Sequence, residues 1–408
     1  MNSWKGIFTI KQAPRAIKRQ SRYATLDSSF LPAHPSAYLL IAMHLTLFVP
    51  DLHWPDIGNR NAYDFKGAEV LARVLSGATR TTAPLAQTDS WESRLAQLFG
   101  FAATRPPLAA MRSLGDGQPQ PGRVLCADPV NLSFIQQAMV LSPITIDASA
   151  NHQAEQDIPS LVDSLNAEFV GEGHFYAMPA SAAAGANDAC RWYFVPDAAV
   201  TDLPDLAACS RLAGRRIDAD ETRQLLGSKG LQWINRIQMC LNQHPVNAAR
   251  EAAGLPVINS LWPWGLGQLE TTPERTFQRA VGESPMLKGL CHATNTPLES
   301  PRAFGADPAA PAHELVVQLG LASAVQQDDL DTWQTCMTQL IEGWVSPALN
   351  ALMDRRQPLK TLRLISPGTH QETTWVVHNN DRALRGNLLQ RFLGIHSKPP
   401  ALQSLLGS

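Results

Sequence analysis

Charge is scarce in this chain. Only 17% of its 408 residues are Asp, Glu, Lys or Arg, and 34 basic against 36 acidic side chains leave a formal net charge of −2. A field that small gathers neither nucleic acid nor an anionic membrane surface, so no nucleic-acid partner is expected. Long apolar runs are missing as well: none reaches the ~18 residues of a membrane span, and no apolar signal core with a small-residue cleavage site opens the chain. No membrane partner is expected, and the expected compartment is the cytoplasm. Cys126, Cys190, Cys209, Cys240, Cys291 and Cys336 lie far apart. They form neither a CxxC nor a Cys/His zinc spacing, which leaves them as reduced thiols of a core. No repeat of fixed period is visible.

What is present is a large apolar fraction, 44%, broken by 30 Pro and 26 Gly. That combination predicts a sizeable core with many loops. Residues 1–40 read as a disordered basic leader, with Lys5, Lys11, Arg15, Lys18, Arg19 and Arg22 against the single acid Asp27; a start at Met43 would place the first strand at once. That strand is residues 44–49, a β-former run stopped by Pro50-Asp51. Helical periodicity follows at 68–75 and 91–99, the second capped by Asp89 or Ser90. Residues 104–122, rich in Pro and Gly, read as a linker.

Beyond it, strands at 123–126, 144–146, 174–178 and 191–195 around a helix at 157–169 suggest a small α+β module. The expected organisation is a core domain in two parts, 41–120 and 206–408, interrupted by an inserted α+β lid at 121–205. In the second part, a helix at 231–241, strands at 314–320, 359–365 and 373–378, helices within 330–353 and a closing helix at 382–392 complete an α/β pattern.

Polar residues concentrate in two places. Asp51, His53 and Asp56 follow the first strand, where an open α/β sheet holds its ligands; they are either metal or anion-site residues or a polar turn. The denser stretch is residues 240–270. In HPVNAAREAAG, Pro245 suits a first helical position and Gly254 a stop, with Asn247 and Arg250 on one face. An Arg beside free helix amides suits a carboxylate or phosphate, although Arg250 could equally bond loop carbonyls and Asn247 cap a turn. A strand is expected at 257–262, where Asn259 would need hydrogen-bond partners.

The run HPVNAAREAAGLPVINSLWPWGLGQL resembles the signature of the RpfE-type regulatory proteins of bacteria, and its H-P-V-N, R, G, N and W-G-x-G order is similar to that of the archaeal-type cofactor-independent phosphoglycerate mutases. HLTLFVPDLHWPD, RVLCADPVNL and MLKGL resemble further parts of that group. The resemblance implies an α/β fold with an alkaline-phosphatase-like core sheet flanked by helices and a smaller inserted α+β domain. It implies that His244, Asn247, Arg250, Asn259 and Lys288 line a ligand cleft. Active mutases of this kind hold two divalent metals on clustered Asp and His ligands. Here the later region offers His370, His378 and Asp381 at unsuited spacing, so the metal candidates reduce to Asp51, His53, Asp56, His378 and Asp381. The expectation is a non-catalytic regulatory or ligand-sensing protein that binds an anionic small molecule, with a protein partner as a further expectation and no cofactor. The alternative is an active metal-dependent phosphoglycerate mutase or phosphatase using Mn or Zn.

Overall fold

The computed structural model describes residues 42–56, 58–102, 104–118, 122–144, 152–178, 190–305, 311–354, 356, 358–381 and 400–406. The expected leader and the expected helix at 382–392 lie outside them. The strands, in chain order, are β1 (Met43–Phe48), β2 (Thr79–Pro84), β3 (Val124–Ile135), β4 (Ala138–Pro143), β5 (Gly173–Ala177), β6 (Trp192–Pro196), β7 (Arg216–Ile217), β8 (Ser260–Gly267), β9 (Arg279–Val281), β10 (Leu298–Glu299), β11 (His313–Val317), β12 (Leu359–Pro367) and β13 (Gln371–His378). They make a mixed α/β architecture of two sheets flanked by helices.

The first sheet runs β10-β9-β11-β1-β12-β13-β2. Its members from β10 to β12 are parallel, and the β12–β13 hairpin adds an antiparallel edge. β1 sits at the centre. Leu45 and Leu47 enter the core on one face, with Trp333, Ile341 and Trp344, while Phe48 enters the other with Leu95, Phe99 and Met111. Its sequence alternates from Met43 to Leu47, with His44 and Thr46 between the apolar residues, and becomes continuously apolar only at Leu47–Val49, where both faces are buried.

The second sheet runs β5-β6-β3-β4-β7, with β8 also paired to β3. β3 is long enough to change neighbours: Leu125 and Cys126 face β6, Cys126 to Val130 face β8, and Val130 to Ile135 face β4. Residues 121–205 thus supply β3 to β6, and β7 and β8, from beyond residue 205, join the same sheet. One buried cluster runs without interruption from Phe48, Leu95 and Met111 of the first sheet's side to Phe194, Trp192 and Trp262 of the second.

The expected linker at 104–122 contains a helix, Leu108–Gly115, which packs on the helix Pro285–Ala293. Pro106 and Pro107 precede it rather than break it, as the first turn of a helix permits. Two glycines bring these helices to backbone contact. A Cβ on Gly115 would stand 1.8 Å from the Pro285 carbonyl oxygen, and one on Gly289 would stand 1.7 Å from that of Met111. β2, which no periodicity announced, is exposed at every position and held by its ladder to β13.

Candidate functional site

The HPVN stretch folds as the sequence suggests, into a helix, Pro245–Ala252, with His244 as its N-cap. His244 Nδ1 accepts the Val246 N–H at 3.3 Å, so that nitrogen carries no proton in the neutral ring and Nε2 donates to Ser164 Oγ at 3.1 Å. An imidazole in that tautomer holds the helix start and cannot serve as a base toward Ser164.

Asn247 is buried, and its amide is used in full. Nδ2 donates to the carbonyls of Leu241 and Ile258 at 2.9 and 2.8 Å, and Oδ1 accepts the Ile258 N–H at 2.9 Å. Asn259 lies just before β8 and exchanges two hydrogen bonds with the backbone of Leu132, at 2.7 and 2.9 Å. It acts as one rung of a ladder, extending the β3–β8 pairing by side chain. Arg250, 4% exposed, donates from Nε to the Pro256 carbonyl at 2.9 Å. Lys288 stands apart, exposed on the helix Pro285–Ala293, where it lines an open groove with His292 and Asn295. The structure therefore gathers His244, Asn247, Arg250 and Asn259 into one corner bonded to its own backbone, with Lys288 on a separate helix.

The carboxyl end of β1 has a different character. Asp51 takes a left-handed backbone, φ 55°, its N–H donating to the Pro367 carbonyl at 3.0 Å and its own carbonyl accepting Trp333 Nε1 at 3.1 Å. Burial pushes its carboxyl up to about 7; the nearby Arg211 opposes that shift and Glu92 adds to it. Glu92 is itself buried and raised by desolvation, against hydrogen bonds from Ser90 and Ser210, the latter 2.7 Å from Oε2.

Ser90 caps the helix Trp91–Leu98 through a reciprocal pair with Ser93, its hydroxyl accepting the Ser93 N–H at 3.3 Å. Arg211, from the short helix Cys209–Leu212, completes the group. Its Nε is buried without a hydrogen-bond partner among the described residues, and it is the one charged atom in that condition there. Burial, then Arg215, lowers its pKa, while Asp89 and Asp51 favour its charged form.

The metal candidates divide. His53, half-buried and lowered by desolvation, leans toward Tyr63 with ring centroids 6.0 Å apart. Asp56 is exposed and accepts the Gly58 N–H at 2.9 Å, a local turn. His378 lies opposite Thr361 in the β12–β13 ladder, and Asp381 Oδ2 accepts the His378 N–H at 2.7 Å. Asp51 meets the other end of β12, at Pro367. Thr361 to Pro367 is ~20 Å at ~3.3 Å per strand residue, so Asp51 cannot share an ion with His378 or Asp381. Among the described residues no three His, Cys, Asp or Glu side chains converge as a metal cage requires.

Glu92 was expected only in the first turn of its helix and not at a site, although a signal was there. It occupies the same helical stripe as Leu95, Ala96 and Phe99, where an acid is out of place unless it is partnered.

No model of a protein family matches the chain, and no curated protein does. Among solved structures it is similar to the PH0037 protein of Pyrococcus horikoshii, at 12% identity and a TM-score of 0.40, over 88% of this chain and 99% of that one. It is also similar to a cofactor-independent phosphoglycerate mutase of Thermoplasma acidophilum, at 16% identity and a TM-score of 0.32, over 83% of this chain and 90% of the mutase. Likenesses at these scores say nothing about what this chain does.

Proposed function

We propose that the chain is a regulatory or ligand-sensing protein that binds a small phosphorylated or carboxylate molecule at the carboxyl end of β1, with Arg211 as its anchor and without turnover. The observation that carries this is the buried Arg211 Nε with no acceptor among the described residues. A guanidinium whose donor is enclosed and unpaired is costly, and a bound oxyanion removes that cost.

The separation of Asp51 from His378 and Asp381 supports the reading without turnover, because in-line displacement on two metals needs its ligands together. Ser90, the hydroxyl best placed in this group, is engaged as a cap. On this reading the chain is RpfE-like, its first sheet is an alkaline-phosphatase-like core, and residues 121–205 are the body of a lid. The six free cysteines agree with a cytoplasmic setting. We assign His244, Asn247, Arg250 and Asn259 to shaping the wall of the cleft and Lys288 to its rim.

Calorimetric titration of the full chain with inorganic phosphate and with phosphoglycerate tests this. Binding should weaken at least about tenfold in Arg211→Ala, the loss of a charge-assisted hydrogen bond. Equal affinity in the variant would sink the assignment. Phosphatase or mutase turnover with added Mn²⁺ or Zn²⁺ would establish the enzymatic alternative instead.

A further inference from the structure

Ladder registers place four side chains in one row across the first sheet, at the amino-terminal end of its parallel strands and so opposite the end where Asp51 lies. His313 of β11 pairs with His44 of β1, His44 with Thr361 of β12, and Thr361 with His378 of β13. Residues paired across adjacent strands point to the same face. The His44 and His313 rings lie side by side, with centroids 4.9 Å apart and planes 16° from parallel. His313 is exposed and His44 half-exposed. His378 is occupied with Thr361, Nδ1 to Oγ1 at 3.2 Å, and stands two strands, ~9.6 Å, from His44.

We infer that the imidazoles of His44 and His313 together bind one divalent transition-metal ion of the zinc, copper or nickel class, with water completing its coordination. Neutral imidazole is the preferred ligand of these ions. Nitrogens that share an ion at ~2.0 to 2.1 Å stand about 3.3 to 4 Å apart, a spacing that adjacent rings at 4.9 Å reach by tilting toward each other. Desolvation, with His313 and His378 adding to it, holds His44 below the ordinary imidazole range, so the neutral ligand form prevails at neutral pH. Parallel neighbours fix the two Cα atoms by backbone hydrogen bonds, and little ordering remains to be done when the ion arrives. Two protein donors leave the remaining positions on the ion to water or another ligand.

The test uses the full chain freed of any histidine tag. Titration with Zn²⁺ at pH 7.5 should give one ion per chain, and Cu²⁺ bound to ¹⁵N-histidine protein should show two imidazole nitrogens by electron paramagnetic resonance. H44Q and H313Q should each weaken binding by at least about tenfold, the effect of disturbing a ligand set. H378Q and H370Q should retain it. Unaltered uptake in both H44Q and H313Q, or a one-nitrogen copper spectrum, overturns the assignment. The exposed position of His313 keeps the test open if H44Q fails to fold, and thermal unfolding without metal at pH 8 separates lost binding from lost structure.

Discussion

Asp128 receives both arms of the Arg112 guanidinium, at 2.8 and 2.7 Å, in a setting where each residue is less than a tenth exposed. The pair joins the helix Leu108–Gly115 to β3. Trp264 Nε1 adds a third donor to Asp128 at 2.8 Å, and Arg112 also reaches the Tyr193 hydroxyl at 3.0 Å. The guanidinium lies between the Tyr193 and Trp264 rings, 4.8 and 5.0 Å from their centroids.

Removing one member of this pair leaves the other charge buried. Arg112→Ala should lower the unfolding free energy by roughly 3 to 5 kcal/mol, read from urea denaturation. Asp128→Asn, which keeps an acceptor for Trp264, should cost less. Equal, small losses in both would show that the network is dispensable.

Asn247→Ala deprives Ile258 of both its partners and Leu241 of one. A loss of about 2 to 6 kcal/mol follows, at ~1 to 3 kcal/mol for each of the two Ile258 groups left unpaired, since the Leu241 carbonyl keeps the His244 N–H. Phosphate affinity of the folded fraction should change far less than in Arg211→Ala. A variant of native stability with weakened binding would move Asn247 from the wall into contact with the ligand.

Asp51 gives a pH dependence of definite sign. Its carboxyl titrates near 7 in the fold and at about 4 when unfolded, so the folded state holds the proton over that interval. The stabilisation is complete below pH 4 and is lost as pH rises toward 7, with a slope of up to ~1.4 kcal/mol per unit. Asp51→Asn should therefore match the native protein near pH 4 and exceed it in stability at pH 8, by thermal or urea unfolding at both values. The reverse order would mean that Arg211 pairs with Asp51 more strongly than burial opposes its charge.

Much of the fold was legible in the sequence. β1 and β11 announce themselves as apolar runs, β12 and β13 as strands about a Pro-Gly turn, and the helix Pro245–Ala252 by Pro at its start and Gly after its end. β2 was not legible, because Thr79–Pro84 faces no core and leaves no alternation to read. The helix Leu108–Gly115 was hidden by the prolines and glycines around it.

For the site, the sequence pointed to the residues richest in polar groups, without showing which groups they bond. Asn247 and Asn259 bond backbone that lies close in space, which spacing along the chain cannot show. The group formed by Asp51, Glu92 and Arg211 comes from three separated segments, and its defining property, a guanidinium nitrogen enclosed without an acceptor among the described residues, exists only after folding.

The glycine crossing of the helices Leu108–Gly115 and Pro285–Ala293 ties the chain off before and after the second sheet. The chain between them runs out through the second sheet and back through β9 of the first before it closes at that contact. The entropy of closing a loop grows only with the logarithm of its length, ~0.6 kcal/mol for each doubling. An insertion in an exposed loop of the second sheet therefore adds little closure cost at this root, while the two glycines there leave no room for a side chain.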